Sequence, residues 1–179
     1  MTSTVKKAGK LALICAISAL LLGIINSVTE PIIAERKKIE LQNALISLIE
    51  EGTPGAKEDL AEGIITSRYP IEGPGGWILD MTGKGYGGDL KILASYKPDG
   101  TVMDVVLMDN SETPGLGKKA EKSSYMDKFR GKGGSEPVPV SKDMIQESPD
   151  TITGATITFS AVANTVKEGS DYVKTLGDK

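Results

Sequence analysis

Hydrophobic and polar positions divide the 179-residue chain into three stretches. Residues 11–25 (LALICAISALLLGII) carry no charge. With Asn26, Ser27 and Val28 the run passes the lower limit for a bilayer-spanning helix, about 17 residues. Over residues 32–50 the apolar positions recur at helical spacing: Ile32, Ile33, Ile39, Leu41, Leu45, Ile46, Leu48 and Ile49. Pro31 lies between the two patterns and predicts a break, or the first turn of a new helix. The expected organisation is a tip and transmembrane anchor over residues 1–28, a juxtamembrane amphipathic helix over 29–51 and a globular domain over 52–179. Gly52-Thr53-Pro54-Gly55 closes the second helix.

In the globular stretch, Trp77-Ile78-Leu79-Asp80-Met81 reads as a short strand between the turn-rich segments Gly73-Pro74-Gly75-Gly76 and Gly83-Lys84-Gly85-Tyr86-Gly87-Gly88. Residues 90–96 (LKILASY) and 102–108 (VMDVVLM) read as strands joined by Lys97-Pro98-Asp99-Gly100, a β-hairpin pattern. Residues 120–129 predict a helix, 137–140 an extended edge, and Gly131-Lys132-Gly133-Gly134 a mobile surface loop. Residues 159–176 (FSAVANTVKEGSDYVKTL) carry apolar positions at helical spacing and predict a closing helix. Strands followed by helices without regular alternation indicate an α+β domain.

Charge and composition narrow the chemistry. The net charge is −3, and Lys6, Lys7 and Lys10 give the first ten residues +3, which leaves −6 for the rest. No basic field of the kind nucleic acid requires is present, so no nucleic-acid partner is expected. Lysines ahead of the apolar run place the N-terminus in the cytoplasm and the domain outside the membrane. A cleaved leader fits poorly, because Asn26-Ser27-Val28-Thr29-Glu30-Pro31 lacks the small-residue cleavage pattern. Cys15 is the one cysteine, preceded by the large Ile14, which argues against a lipoprotein. The chain contains no histidine. Histidine-based nucleophile pairs, histidine zinc sites and histidine-ligated haem are thereby excluded, and no metal site is expected. Chemistry here must come from hydroxyls, carboxylates, lysines or a borrowed cofactor.

Two segments are candidates for that role. Asp150-Thr151-Ile152-Thr153-Gly154-Ala155-Thr156 runs into the closing helix. Thr153 or Thr156 can cap the helix, and a helix start with free N–H groups can equally hold a phosphate, by hydrogen bonds or as a threonine phosphoester. In Glu112-Thr113-Pro114-Gly115-Leu116-Gly117, proline then glycine make a tight turn. The second glycine lets the backbone approach something flat or bulky. A plain surface turn is the simpler reading of this segment. Lys118, Lys119 and Lys122 read as a solvated face, and Trp77 as a core residue.

Together the two segments resemble one family: the flavin-binding domain shared by the G subunit of the Rnf ion-translocating electron-transfer complex and the C subunit of the sodium-translocating NADH:quinone reductase. Asp150, Thr153, Gly154, Ala155 and Thr156 fill that family's Asp-x-x-Ser/Thr-Gly-Ala-Thr motif, and its Glu-Thr-Pro-Gly-Leu-Gly hexapeptide stands complete at Glu112 to Gly117. The short anchor-plus-domain layout is closer to the Rnf member of the pair. Thr153 departs from the commoner serine. Asp109-Asn110-Ser111 stands where relatives often carry a histidine before the hexapeptide.

The resemblance implies covalent FMN, esterified through its phosphate to Thr156 by a flavin transferase. It implies that Asp150 and Thr153 shape the loop or serve transferase recognition, and that Glu112, Thr113, Leu116 and Gly117 lie against the ring or the ribityl chain. FMN exchanges electrons singly or in pairs, so the chain would relay electrons among the other membrane subunits of an Rnf-type complex. That complex couples ferredoxin:NAD oxidoreduction to movement of sodium ions or protons. On this reading the chain is one subunit of a translocase in a prokaryotic cell membrane, with no catalytic residue of its own. Two other readings remain open on the residues: an anchored extracytoplasmic module that binds a phosphate-bearing ligand non-covalently, and a structural assembly subunit.

Overall fold

The computed structural model describes residues 2–115, 117–145 and 155–177. The chain forms two units, Met1–Gln42 and Asn43–Lys179. The first consists of most of one helix, α1 (Thr2–Ser47). It continues through Pro31, which corrects the break expected there and the separate helix expected over residues 29–51. Proline removes one N–H from the ladder and crowds the carbonyl four residues back, which belongs to Ser27. Two hydroxyls beside that defect turn back on the helix: Ser27 Oγ donates to the Gly23 carbonyl at 2.9 Å and Thr29 Oγ1 to the Ile25 carbonyl at 2.8 Å.

Leu11, Leu13, Ile14, Ile17, Leu20, Leu21, Leu22, Ile24 and Ile25 are all exposed, as a lipid-facing surface requires. Among the described residues α1 is the one helix long and apolar enough to cross a membrane. Ile32, Ile33, Ile39 and Ile46 are exposed as well. Burial begins only at Ala44, Leu45 and Leu48, inside the second unit.

The second unit is built on an antiparallel sheet of six strands: β1 (Thr53–Pro54), β2 (Glu58–Glu62), β3 (Ile65–Glu72), β4 (Trp77–Lys84), β5 (Asp89–Tyr96) and β6 (Val102–Asp109). β3 to β6 form a meander, and β1 and β2 pair in turn with the outer edge of β3. The hairpin expected between residues 90 and 108 is present as β5–β6. Its turn closes where Lys97 N–H donates to the Thr101 carbonyl at 2.8 Å and Gly100 N–H to the Lys97 carbonyl at 2.9 Å. β4 runs through Gly83 and Lys84, so the loop after it is shorter than the glycine count suggested. Gly83 carries no side chain where α3 comes close: a Cβ there would stand 2.4 Å from Thr165 Oγ1.

β2 and β3 were not evident in the sequence. The inward positions of β3 are Ile65, Ser67, Tyr69 and Ile71, and the polar Ser67 interrupts the alternation. Pro70 then argues against a strand interior. It is tolerated beside the short β1, whose only pairs are Thr53↔Glu72 and Pro54↔Ile71. Arg68 ties this edge together. Its Nε donates to Glu58 Oε2 at 2.6 Å, its Nη1 to Tyr172 Oη at 3.0 Å, and its guanidinium lies 4.6 Å from the centre of the Trp77 ring.

The closing helix α3 (Thr156–Gly177) packs on β4 and β5. Leu79, Met81, Ile92, Ala94 and Val105 from the sheet meet Phe159, Val162, Ala163, Val166 and Val173 from the helix. The sheet supplies period-2 positions and the helix its 3.6-period stripe. Each large apolar side chain buried there is worth about 1.5–3 kcal/mol. Tyr96 reaches across to donate to the Val166 carbonyl at 3.0 Å, and a Cβ on Gly169 would stand 2.4 Å from that hydroxyl.

Between sheet and helix the expected helix over 120–129 divides into a 3-10 turn (Gly117–Glu121) and a single turn, α2 (Ser123–Met126). Lys122 is extended between them, and the serines that follow favour helix starts over interiors. Residues 137–140 lie outside the sheet, with Val138 buried in the core.

The Gly131–Gly134 segment is no loose surface loop. Val102 N–H donates to the Lys132 carbonyl at 2.7 Å and Gly131 N–H to the Val102 carbonyl at 2.9 Å. A Cβ on Gly133, whose φ is +101°, would stand 2.5 Å from both the Gly100 carbonyl and Ser170 Oγ. Gly131, at φ +75°, has open space around it. Gly133→Ala is therefore expected to cost about 2–3 kcal/mol, from strained backbone plus a clash, and Gly131→Ala about 1 kcal/mol, from backbone alone. Denaturant unfolding of the detergent-solubilised chain checks the order; equal costs would show that the 133 contact yields.

Candidate functional site

Three chain segments meet at the start of α3. The first is the turn after β4, where Gly85 N–H donates to the Gly88 carbonyl at 2.8 Å and Gly88 has φ +144°. It presents Tyr86 outward, 71% exposed. The second is the hexapeptide after β6. Gly115 has φ +79°, as the third position of a Pro-Gly type II turn requires. Lys118 N–H closes the loop on the Thr113 carbonyl at 3.3 Å. The third is the first turn of α3, where Thr156 is the opening helical residue and Phe159 N–H donates to the Ala155 carbonyl at 2.9 Å. Ala155 precedes the helix and offers no side-chain acceptor to its N–H groups. Thr156 is thus inside the helix rather than its cap.

Glu112 lies where the segments converge. Its side chain is buried, with the residue 3% exposed, and both carboxylate oxygens accept hydrogen bonds. Gly87 N–H donates to Oε1 at 3.0 Å and Thr158 Oγ1 donates to Oε2 at 2.7 Å. Its own N–H donates to Asn110 Oδ1 at 3.0 Å. Two glycines make room for it: a Cβ on Gly85 would stand 2.2 Å from Oε1, and one on Gly117 would stand 2.3 Å from Oε2.

Behind this junction Phe159 stacks on Phe129 at 5.8 Å and meets the edge of Tyr125 at 6.4 Å. Lys128 Nζ lies 4.5 Å from the centre of the Tyr125 ring. Burial, reinforced by the negative charge of Glu112, pushes the Tyr125 phenol well above its ordinary range. Burial also pulls the Lys128 ammonium down.

The surface formed is a cleft of about 540 Å³ lined by Tyr86, Glu112, Thr113, Gly117, Ala155, Thr156, Ile157 and Thr158. Thr156 is exposed. Thr158, two residues on, is 1% exposed. Of the residues expected from the sequence, Glu112, Thr113, Gly117, Ala155 and Thr156 come together around this one cleft. Asp150, Thr153, Gly154 and Leu116 lie outside the described residues. Tyr86, Ile157 and Thr158 were missed as lining residues. For Tyr86 the signal was an aromatic side chain flanked by glycines on both sides.

Comparison with known proteins agrees with this geometry. A model of the FMN-binding domain matches residues 85–171, a range that contains all eight lining residues. The G subunit of the proton-translocating ferredoxin:NAD(+) oxidoreductase complex of Clostridium ljungdahlii is 30% identical over 93% of this chain and 89% of its own length. The chain belongs to this G-subunit family. Within the family, the G subunit of the ion-translocating oxidoreductase complex of Cereibacter sphaeroides is 31% identical over 89% of this chain and 79% of its own length. The protein of the same name from Escherichia coli O157:H7 is 30% identical over all of this chain and 96% of its own length.

The cleft fits the cofactor that this domain is named for. Its volume lies in the range of small-molecule sites, roughly 300–1,000 Å³. It joins a helix N-terminus for a phosphate to apolar surface from Tyr86 and Ile157, which are 71% and 56% exposed. Gly117→Ala directs a methyl group at Glu112 and at Thr158 Oγ1, 2.9 Å away, in a part of this G subunit that has no slack. It is expected to destabilise the second unit by about 2–4 kcal/mol. A melting-temperature measurement on the full chain checks this, and an unchanged midpoint would show that the junction repacks freely.

Proposed function

We propose that this chain is the membrane-anchored flavin carrier of an Rnf-type ferredoxin:NAD oxidoreductase complex, with FMN held as a phosphoester on Thr156. The observation that carries the reading is the placement of an exposed threonine on the first turn of α3, in a cleft that lies within the FMN-binding-domain match. Relatives named as the G subunits of ion-translocating oxidoreductases support the setting.

The attachment is a group transfer with no change of oxidation state. A bond forms between Thr156 Oγ and the flavin phosphorus as a phosphoanhydride bond breaks in a flavin dinucleotide. The nucleotide monophosphate leaves, and the hydroxyl proton passes to a base of the flavin transferase. The helix start supplies N–H groups and a partial positive charge to the phosphate oxygens. Bound FMN would supply one- and two-electron transfer; this chain supplies position, an apolar wall from Tyr86 and Ile157, and a tether that stops loss of the cofactor. The anchor has no charge between residues 11 and 25, so ion movement falls to the other subunits of the complex. Lys6, Lys7 and Lys10 favour a cytoplasmic N-terminus and an extracytoplasmic domain.

Protein from a host that has the transferase should fluoresce in a denaturing gel, and its intact mass should exceed the chain by FMN less one water. Thr156→Val should lose both signals while its melting midpoint stays close to that of the unloaded wild type. A fluorescent Thr156→Val band would show that another residue is the tether. Flavin that co-purifies but washes away on denaturation would favour non-covalent binding.

A further inference from the structure

The geometry points to Glu112 as a positioning residue: through Thr158 it sets the rotation of the first turn of α3 and so holds Thr156 on the solvent side of that turn, at the mouth of the cleft. This rests on the reading of Thr156 as the flavin tether. Residues two apart on a helix stand about 200° apart around its axis. Thr158 therefore faces inward while Thr156 faces outward, and the burial of the two agrees: Thr158 is buried and Thr156 exposed. Fixing one fixes the direction of the other.

A helix start normally frays unless its first N–H groups are capped. Ala155, the residue before the helix, brings no capping side chain, and among the described residues a side-chain bond holds the turn from within. The 2.7 Å bond from Thr158 Oγ1 to Glu112 Oε2 is such a hold. The opposite oxygen is fixed by Gly87 N–H at 3.0 Å, on a turn from a different strand connection. Glu112 is itself oriented by Asn110 Oδ1, which accepts its N–H. With both oxygens engaged inside the protein, the carboxylate acts as a bracket between three segments rather than as a ligand for a flavin group. Gly85 and Gly117 keep the space it occupies, since a Cβ at either would stand 2.2 or 2.3 Å from one of its oxygens.

Two measurements on the full chain in detergent test the assignment. Intact mass during incubation with a flavin dinucleotide and a flavin transferase gives the initial loading rate at saturating donor. Thr158→Val, close in shape but without the donor, should load about tenfold more slowly at a temperature well below its melting midpoint. Thr158→Ser, which keeps the hydroxyl, should load within about twofold of wild type. In the unloaded chain, hydrogen exchange of the amides at 158 and 159 should rise several-fold in Thr158→Val and stay unchanged in Thr158→Ser. Loading of Thr158→Val within twofold of wild type overturns the assignment. So does slow loading that recovers fully on cooling, because the bond would then serve stability alone. A wild-type chain that gains no flavin mass, or gains it elsewhere than Thr156, instead removes the reading of the tether itself.

Discussion

A carboxylate taken out of water must recover its lost hydration from the protein, or the fold gives up several kcal/mol. Glu112 recovers it from two donors that belong to different parts of the chain, the Gly87 amide and the Thr158 hydroxyl. Charged hydrogen bonds of this kind are worth about 1.5–3 kcal/mol each, and the larger effect is the penalty avoided. Everything around the cleft answers to that need. The turn at 85–88 must be glycine-rich to come close, the hexapeptide must end in glycine for the same reason, and α3 must begin with a hydroxyl on its inward side. Residues 85 and 158, more than seventy positions apart, are thereby brought to one place.

The fold was legible where pattern and burial coincide. The β5–β6 hairpin and α3 stand close to their expected limits because apolar runs flank a strong turn signal in the first and apolar positions recur at helical spacing in the second. It was illegible where a polar residue occupies an inward position or a proline sits in a strand, as Ser67 and Pro70 do in β3. Pro31 misled for a different reason. Its effect depends on the residues around it, and here the helix carries on through it, with the Ser27 and Thr29 hydroxyls bonded back onto the preceding turn. The segment at 131–134 looked loose because glycine allows freedom in general, whereas here two of the glycines are required by contact with Gly100, Thr101 and Ser170.

The site was legible as a set of motifs but not as a mechanism of support. Glu112, Thr113, Gly117, Ala155 and Thr156 could be named from spacing, since they stand in two short runs. Tyr86 and Thr158 could not, because the first lies in a different segment and the second gains meaning only from its partner. The glycines of the turn at 85–88 looked like ordinary turn residues. Their close approach to Glu112 and to the Ser111 carbonyl, 2.1 Å from a Cβ placed on Gly87, is visible only in three dimensions.

A tether changes what the rest of the site must accomplish. A freely exchanging cofactor must offset its lost translational and rotational freedom with contacts, which for a ligand of this size demands an enclosed pocket. The proposed phosphoester would settle that cost once, at maturation, so the walls would need only to orient the ring. An open cleft then suffices, with Tyr86 and Ile157 left substantially exposed. Exposure is also useful to a relay, because electrons leave by close approach of a partner rather than by diffusion of the cofactor. The same openness moves the precision of the site into the direction of a single hydroxyl. In a chain without histidine, and with its one cysteine at position 15 in the anchor, the proposed tether would place that chemistry on a threonine, with the buried Glu112 carboxylate behind it.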